Sequence, residues 1–300
     1  MQDWKSISRQ IKSFDIKSLA RAISFVENEA EGHEDFLKSL EISTTPIIGI
    51  TGPPGAGKST LTDALIEHIV SLQKKVAVLC IDPSSPFNMG ALLGDRIRMS
   101  EWYNNPNVYI RSLATRGSLG GLNPKIIEIS DVIKTAGFDY IIIETVGVGQ
   151  SEIEIVGLAD VTVVAIVPEA GDEIQTMKAG LMEIADVFVV NKSDRPGADA
   201  FVNNLRQMLA PAFSTHSHEL PIVKTIASQK KGIDELYYAI FNSLERISTN
   251  EKKFHLLTEK VWTLILKKRM KDIDKMNLLQ EIKKHSTVNA FNLYEFVEKF

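Results

Sequence analysis

Gly52-Pro53-Pro54-Gly55-Ala56-Gly57-Lys58-Ser59, followed by Thr60, matches the pattern GxxxxGK[ST] in full. It follows the apolar run 47–51 and precedes a helical pattern that begins at Leu61. Strand, loop and helix in that order form the context in which this loop holds phosphates. Glycines let backbone N–H groups turn inward and approach an anion. The helix that follows adds the positive end of its dipole. Lys58 offers a point charge to β- and γ-phosphates, and Ser59 offers a hydroxyl to Mg²⁺. Pro54 removes only one donor.

Around this loop, short runs rich in Val and Ile recur at 47–51, 76–82, 108–112, 139–144, 161–168, 187–191 and 221–225. Most do not alternate with polar residues, as expected of strands covered by helices on both faces of a parallel sheet. Crossover helices are expected at 61–72, 125–136, 176–184 and 198–209. The pattern reads as a doubly wound, mostly parallel α/β sheet of the P-loop NTPase type. Ile16, Leu19, Ile23 and Val26 repeat with helical spacing, as do Phe254, Leu257, Val261 and Leu264, and Phe291, Tyr294 and Val297 repeat at three. The expected organisation is therefore a helical extension over 1–42, a nucleotide-binding domain over 43–247 and a helical extension over 248–300.

Asn191-Lys192-Ser193-Asp194 follows the run 187–191. An aspartate there can accept from guanine N1–H and the 2-amino group, a donor pair that adenine lacks. Asn191 can tie this loop to the phosphate loop, the Lys192 stem can cover a face of the base, and Ala227 and Ser228 can close its far side. GTP and GDP are the implied ligands. Asp82, Asp95 and Glu144 lie at or just beyond strand ends, where a parallel sheet opens its ligand crevice. With Ser59 they are the candidate Mg²⁺ ligands. Val148 stands where Ras-like enzymes place the glutamine that orients water, and Gln150 comes later, so slow intrinsic hydrolysis is expected.

The bulk figures agree with this reading. The 300 residues carry a net charge of −4, which argues against a nucleic-acid binder. The cluster Lys267, Lys268, Arg269 and Lys271 reads as a solvated helix face. One cysteine, Cys80, excludes an intrachain disulfide and fits a reducing compartment and a buried apolar role. No apolar run reaches membrane-spanning length, and residues 1–12 lack a signal-peptide core, so a cytoplasmic protein is expected. His216 and His218 read as an exposed loop, and Trp4, Trp102 and Trp262 as packing residues.

The stretches GPPGAGKST, IDPSS, LLGDRIRM, TRGSLGGL, AGFDYIIIETVGVGQSE, AGDEIQTMKAGLMEIAD and NKSD together resemble the MeaB/ArgK family of P-loop GTPases, and LARAISFVEN resembles its opening helix. The resemblance spans roughly residues 15–245. It implies a homodimeric GTPase that acts as chaperone of an adenosylcobalamin-dependent acyl-CoA mutase, chiefly of the methylmalonyl-CoA mutase type, gating cofactor loading and protecting or reactivating the mutase. It implies Lys58 and Ser59 at the phosphates, Asp82 and Asp95 beside Mg²⁺, Glu144 as an acid linked to hydrolysis, and Lys192 and Asp194 at guanine. Within 171–178 it implies a loop coupling nucleotide state to the mutase, with Asp172, Gln175 and Lys178 as its actors, although Asp172 also suits a helix N-cap. Residues 248–300 carry none of these stretches.

Three other readings share the same loop. A metallochaperone GTPase for nickel or another metal would carry His- or Cys-rich tracts, and the lone Cys80 speaks against it. An ATP-dependent kinase linked to amino-acid transport is opposed by the NKSD motif. A non-catalytic, nucleotide-gated scaffold fits the missing glutamine.

Overall fold

The computed structural model describes residues 4–82, 99–116, 121–147, 151–169, 184–213, 220–246, 251–288 and 292–298. Its strands are β1 (Ile47–Thr51), β2 (Val76–Asp82), β3 (Val108–Ala114), β4 (Tyr140–Glu144), β5 (Val161–Ile166), β6 (Val187–Val190) and β7 (Ile222–Lys224). The helices among the described residues are α1 (Trp4–Lys12), α2 (Ile16–Glu27), α3 (His33–Lys38), α4 (Lys58–Ser71), α5 (Ile126–Lys134), α6 (Ser151–Leu158), α7 (Ala198–Phe213), α8 (Ile233–Arg246), α9 (Glu251–Arg269), α10 (Lys275–Val288) and α11 (Leu293–Val297).

The strands form one sheet in the order β3-β2-β4-β1-β5-β6-β7, with every pair parallel. β1 lies between β4 and β5, with Ile50 opposite Glu144 and Thr51 opposite Val164. β1, β2, β4 and β5 are buried at every position, which explains their unbroken Val and Ile runs. α4 and α8 cover one face, where Leu61, Leu65, Leu236 and Ile240 pack with Ile50, Val78 and Val163. α5 and α6 pack on strands of the same sheet, and α2 lies against α5.

The expected strand limits shift by a few residues. β3 continues to Ala114 because Leu113 and Ala114 still pair with Ile81 and Asp82. β5 stops at Ile166, whose partner Val190 is the last residue of β6. The helix expected over 176–184 lies almost wholly outside the described residues, and His216, His218 and Phe291 lie outside them entirely.

α2 begins at Asp15, whose carboxylate accepts from the Lys17 N–H at 3.1 Å and the Ser18 hydroxyl at 2.7 Å. It buries Leu19, Ala22, Ile23 and Val26. At its end Glu27 accepts from Arg111 at 2.9 Å and from Arg116 at 3.1 Å, both on or beside β3. These ion pairs are shielded by packing, so the N-terminal helices belong to the same body as the sheet. The chain divides into two compact units, Met1–Lys253 and Phe254–Phe300. In the second, Phe254, Leu257, Val261 and Leu264 fall on a helix as expected, yet they are exposed by 62%, 38%, 53% and 44%. Lys267, Lys268, Arg269 and Lys271 are exposed, Cys80 is buried, Trp4 stacks on Phe25 and Trp102 donates to Asp63. Among the described residues no helix is long and apolar enough to cross a membrane.

Candidate nucleotide site

The C-terminal ends of β1, β2 and β4 converge on a cavity of about 460 Å³. Pro54, Gly55, Gly57, Lys58, Ser59 and Thr60 form one wall. Asp82, Glu144 and Lys192 close it from neighbouring strand ends. Residues separated by more than 130 positions thus meet at one edge of the sheet.

The loop from Gly52 curls back over its own lysine. Lys58 is 7% exposed and donates to the Gly52 carbonyl at 2.9 Å and the Pro53 carbonyl at 3.1 Å. Gly52 has φ +137°, and a Cβ there would run into the Ala165 carbonyl of β5. Gly147 has φ +83°, and a Cβ there would collide with the Lys58 ammonium. Both positions therefore demand glycine, for backbone conformation and for close approach. α4 starts at Lys58, so its first N–H groups and its dipole face the cavity.

Glu144 is 2% exposed and accepts two hydrogen bonds from α4. The Ser59 hydroxyl reaches Oε1 at 2.6 Å and the Thr62 hydroxyl reaches Oε2 at 2.8 Å. Residues three apart on a helix share a face, so Ser59 and Thr62 grip the carboxylate together. Asp82, 5% exposed, lines the same cavity at the end of β2. A hydroxyl and two buried carboxylates beside a phosphate-type loop form an all-oxygen donor set suited to a hard divalent cation. Among the described residues no three His, Cys, Asp or Glu side chains cluster as a self-sufficient metal site. Mg²⁺ does not need one, since it takes few protein ligands and completes its shell with phosphate oxygens and water.

The loop after β6 is tied to the phosphate loop in the manner expected. Asn191 donates to the Ala56 carbonyl at 2.9 Å, and its Oδ1 accepts from the Thr225 hydroxyl and the Ala227 N–H, each at 3.1 Å. Lys192, with φ 56°, sends its ammonium to the Gly55 carbonyl at 2.7 Å. Asp194 is exposed beside them, and Ala227 and Ser228 lie in the short 3₁₀ turn that follows β7. Arg195 donates to Glu169 beyond β5 at 2.6 Å and holds that carboxyl below the ordinary range. Asp95, Asp172, Gln175 and Lys178 lie outside the described residues.

The family model described as methylmalonyl-CoA mutase-associated GTPase MeaB matches residues 19–278. The chain belongs to the MeaB family of P-loop GTPases. A Pyrococcus abyssi protein to which GTPase activity has been ascribed is 45% identical over 266 residues, covering 85% of this chain and 82% of its own length. GTPase ArgK of Escherichia coli is 35% identical over 245 residues, 78% of this chain and 74% of its own. The fused isobutyryl-CoA mutase of Geobacillus kaustophilus is 36% identical over 267 residues, which cover 83% of this chain and 24% of that protein. Among solved structures, the LAO/AO transport system kinase superposes with a TM-score of 0.69 at 24% identity, covering 100% of this chain and 97% of its own. That likeness is one of fold. The MeaB relatives and the strand order together account for the P-loop architecture expected from the sequence.

Three contacts escaped the sequence reading: Thr62 on Glu144, the Thr51 and Thr145 hydroxyls 2.9 Å apart between β1 and β4, and Thr225 on Asn191. The spacing of Ser59 and Thr62 was available as a signal. The other two depend on strand order.

Proposed function

We propose that this protein binds and hydrolyses GTP at the C-terminal edge of its sheet, and that the nucleotide gates its action as chaperone of an adenosylcobalamin-dependent acyl-CoA mutase. The observation that carries the first part is the cavity in which Pro54, Gly55, Gly57–Thr60, Asp82 and Glu144 meet. Backbone N–H groups of the loop and Lys58 hold the β- and γ-phosphates and offset charge that develops on them. Asn191, Lys192, Asp194, Ala227 and Ser228 form the guanine side, and Asp194 rejects adenine because its carboxylate would lose water without gaining two donors. Ser59, Asp82, Asp95 and Glu144 are the residues that would hold Mg²⁺, which when bound supplies further positive charge at the phosphates. The Ser59 hydroxyl donates its hydrogen to Glu144 and keeps oxygen lone pairs that would serve that ion, while Thr62 holds the other carboxylate oxygen. With valine at 148, intrinsic turnover is slow and a partner accelerates it.

The mutase part rests on family membership and on a relative in which a homologous segment is fused to an isobutyryl-CoA mutase. Asp172, Gln175 and Lys178 are proposed to couple nucleotide state to the mutase. The exposed stripe Phe254, Leu257, Val261 and Ile265, which lines a groove of about 310 Å³ with Trp262, favours a partner surface in 254–300, and a homodimer is the occupant we propose. The cytoplasm is the proposed compartment.

Phosphate release from GTP, with and without such a mutase and with ATP as control, tests the reading. Acceleration by the mutase with ATP ignored is the expected result. Equal use of ATP overturns the guanine site, and unchanged turnover without complex formation overturns the partner.

A further inference from the structure

A second cavity, of about 620 Å³, opens at the opposite edge of the sheet. Pro46 and Lys74 precede β1 and β2, Tyr140 opens β4, and Lys134 ends α5, and all four line it together with Ser43 and Phe241. We propose that this cavity binds a small organic anion, a phosphate or carboxylate attached to an apolar body.

Two of its three acids, Asp139 and Asp160, are already engaged, and the third, Glu245, is exposed. Asp139 accepts from the Lys75 N–H at 2.7 Å, and Asp160 accepts from the Ile47 N–H at 2.8 Å and from Lys253 at 3.0 Å. These carboxylates cap the starts of β2 and β1, and Lys253 is neutralised by one of them. Lys74 has no carboxylate within ion-pair distance among the described residues. It donates to the hydroxyl oxygens of Tyr140 at 3.0 Å and Tyr237 at 3.2 Å, two neutral acceptors that keep its pKa above the ordinary lysine value. Two of its three N–H donors are used, and one is left.

The two tyrosine hydroxyls lie 3.0 Å apart. With Tyr237 donating to Tyr140, the Tyr140 hydrogen is left for the cavity. Lys134 supplies the second cation. Its side chain is 11% exposed, and its nearest carboxylate, Asp131, stands at 3.9 Å, beyond hydrogen-bond reach. Burial pushes the Lys134 ammonium down and the Asp131 carboxyl up, which marks a pair too distant to offset its desolvation. An anion between Lys74 and Lys134 would gain two charge-assisted donors and the Tyr140 hydroxyl. Phe241, Leu244 and Pro46 give its apolar part a wall.

The test titrates phenyl phosphate, benzoate and benzyl alcohol into the full chain, with saturating GDP and Mg²⁺ present, and reads binding by calorimetry. One saturable site for phenyl phosphate, benzoate or both is expected, with none for benzyl alcohol. Phenyl phosphate alone assigns a phosphate ligand, and benzoate alone a carboxylate. Lys74→Gln and Lys134→Gln should each weaken binding about tenfold, and Lys74→Arg should retain it. Unchanged GDP affinity in the variants verifies folding, and Lys134→Gln carries the test if Lys74→Gln does not fold. Absence of saturable binding to wild type, or binding insensitive to both lysines, overturns the proposal.

Discussion

The two edges of one sheet each hold a lysine, buried at one and half-buried at the other, in different ways. At the C-terminal edge Lys58 rests on two backbone carbonyls inside a loop whose N–H groups and helix dipole also point at the cavity. At the N-terminal edge Lys74 rests on two phenol oxygens, just past the C-terminus of the same helix, α4. There the backbone presents carbonyl oxygens and a negative dipole end, which suits a cation. An anion at the first edge is thus served by main chain and side chain together. At the second it depends on side chains alone. A helix running across a sheet therefore makes its two ends chemically unequal, whatever residues stand there.

That contrast can be broken most directly at Lys58. Lys58→Ala should lower GTP turnover on the order of 10²- to 10³-fold, because it removes charge from a water-poor site. Phosphate release by folded protein is the measurement, and near-wild-type rates would remove the contrast. Next in size is the base side. Asp194→Asn should erode the preference for guanine over adenine by about 100-fold, read by GTP and ATP competition, since the amide no longer accepts from both guanine donors.

A stability effect comes third. Thr62→Val removes a hydrogen bond from buried Glu144 and should cost about 1–3 kcal/mol in urea denaturation, while Thr62→Ser should recover most of it. The smallest effect belongs to the far edge. Tyr237→Phe removes one hydroxyl from Lys74 and should cost about 1 kcal/mol, with GTP turnover unchanged. A loss of turnover in Tyr237→Phe would mean that α4 couples its two ends.

Much of the first edge was legible in the chain because its chemistry is local. Residues 52–60 are contiguous, a loop that runs straight into the first turn of α4, and the NKSD tetrapeptide follows its strand directly. The second edge was invisible because Pro46, Lys74, Lys134 and Tyr140 are brought together only by the parallel order β2-β4-β1 and by the helix that precedes β4. The periodicity at 254–264 did identify a helix, but spacing reports an apolar stripe and not what covers it, and that stripe is exposed.

The parallel α/β class, the phosphate loop with its lysine and the NKSD tetrapeptide were readable from the chain alone, because each depends on contiguous residues or on the period of apolar side chains. Only the folded arrangement decided that Thr62 joins Ser59 on Glu144, that Thr225 holds Asn191, and that three lysines gather at the far edge. Those contacts join positions separated by dozens of residues or more, so strand order and the packing of α4, α5 and α8 set them, and no local pattern encodes them.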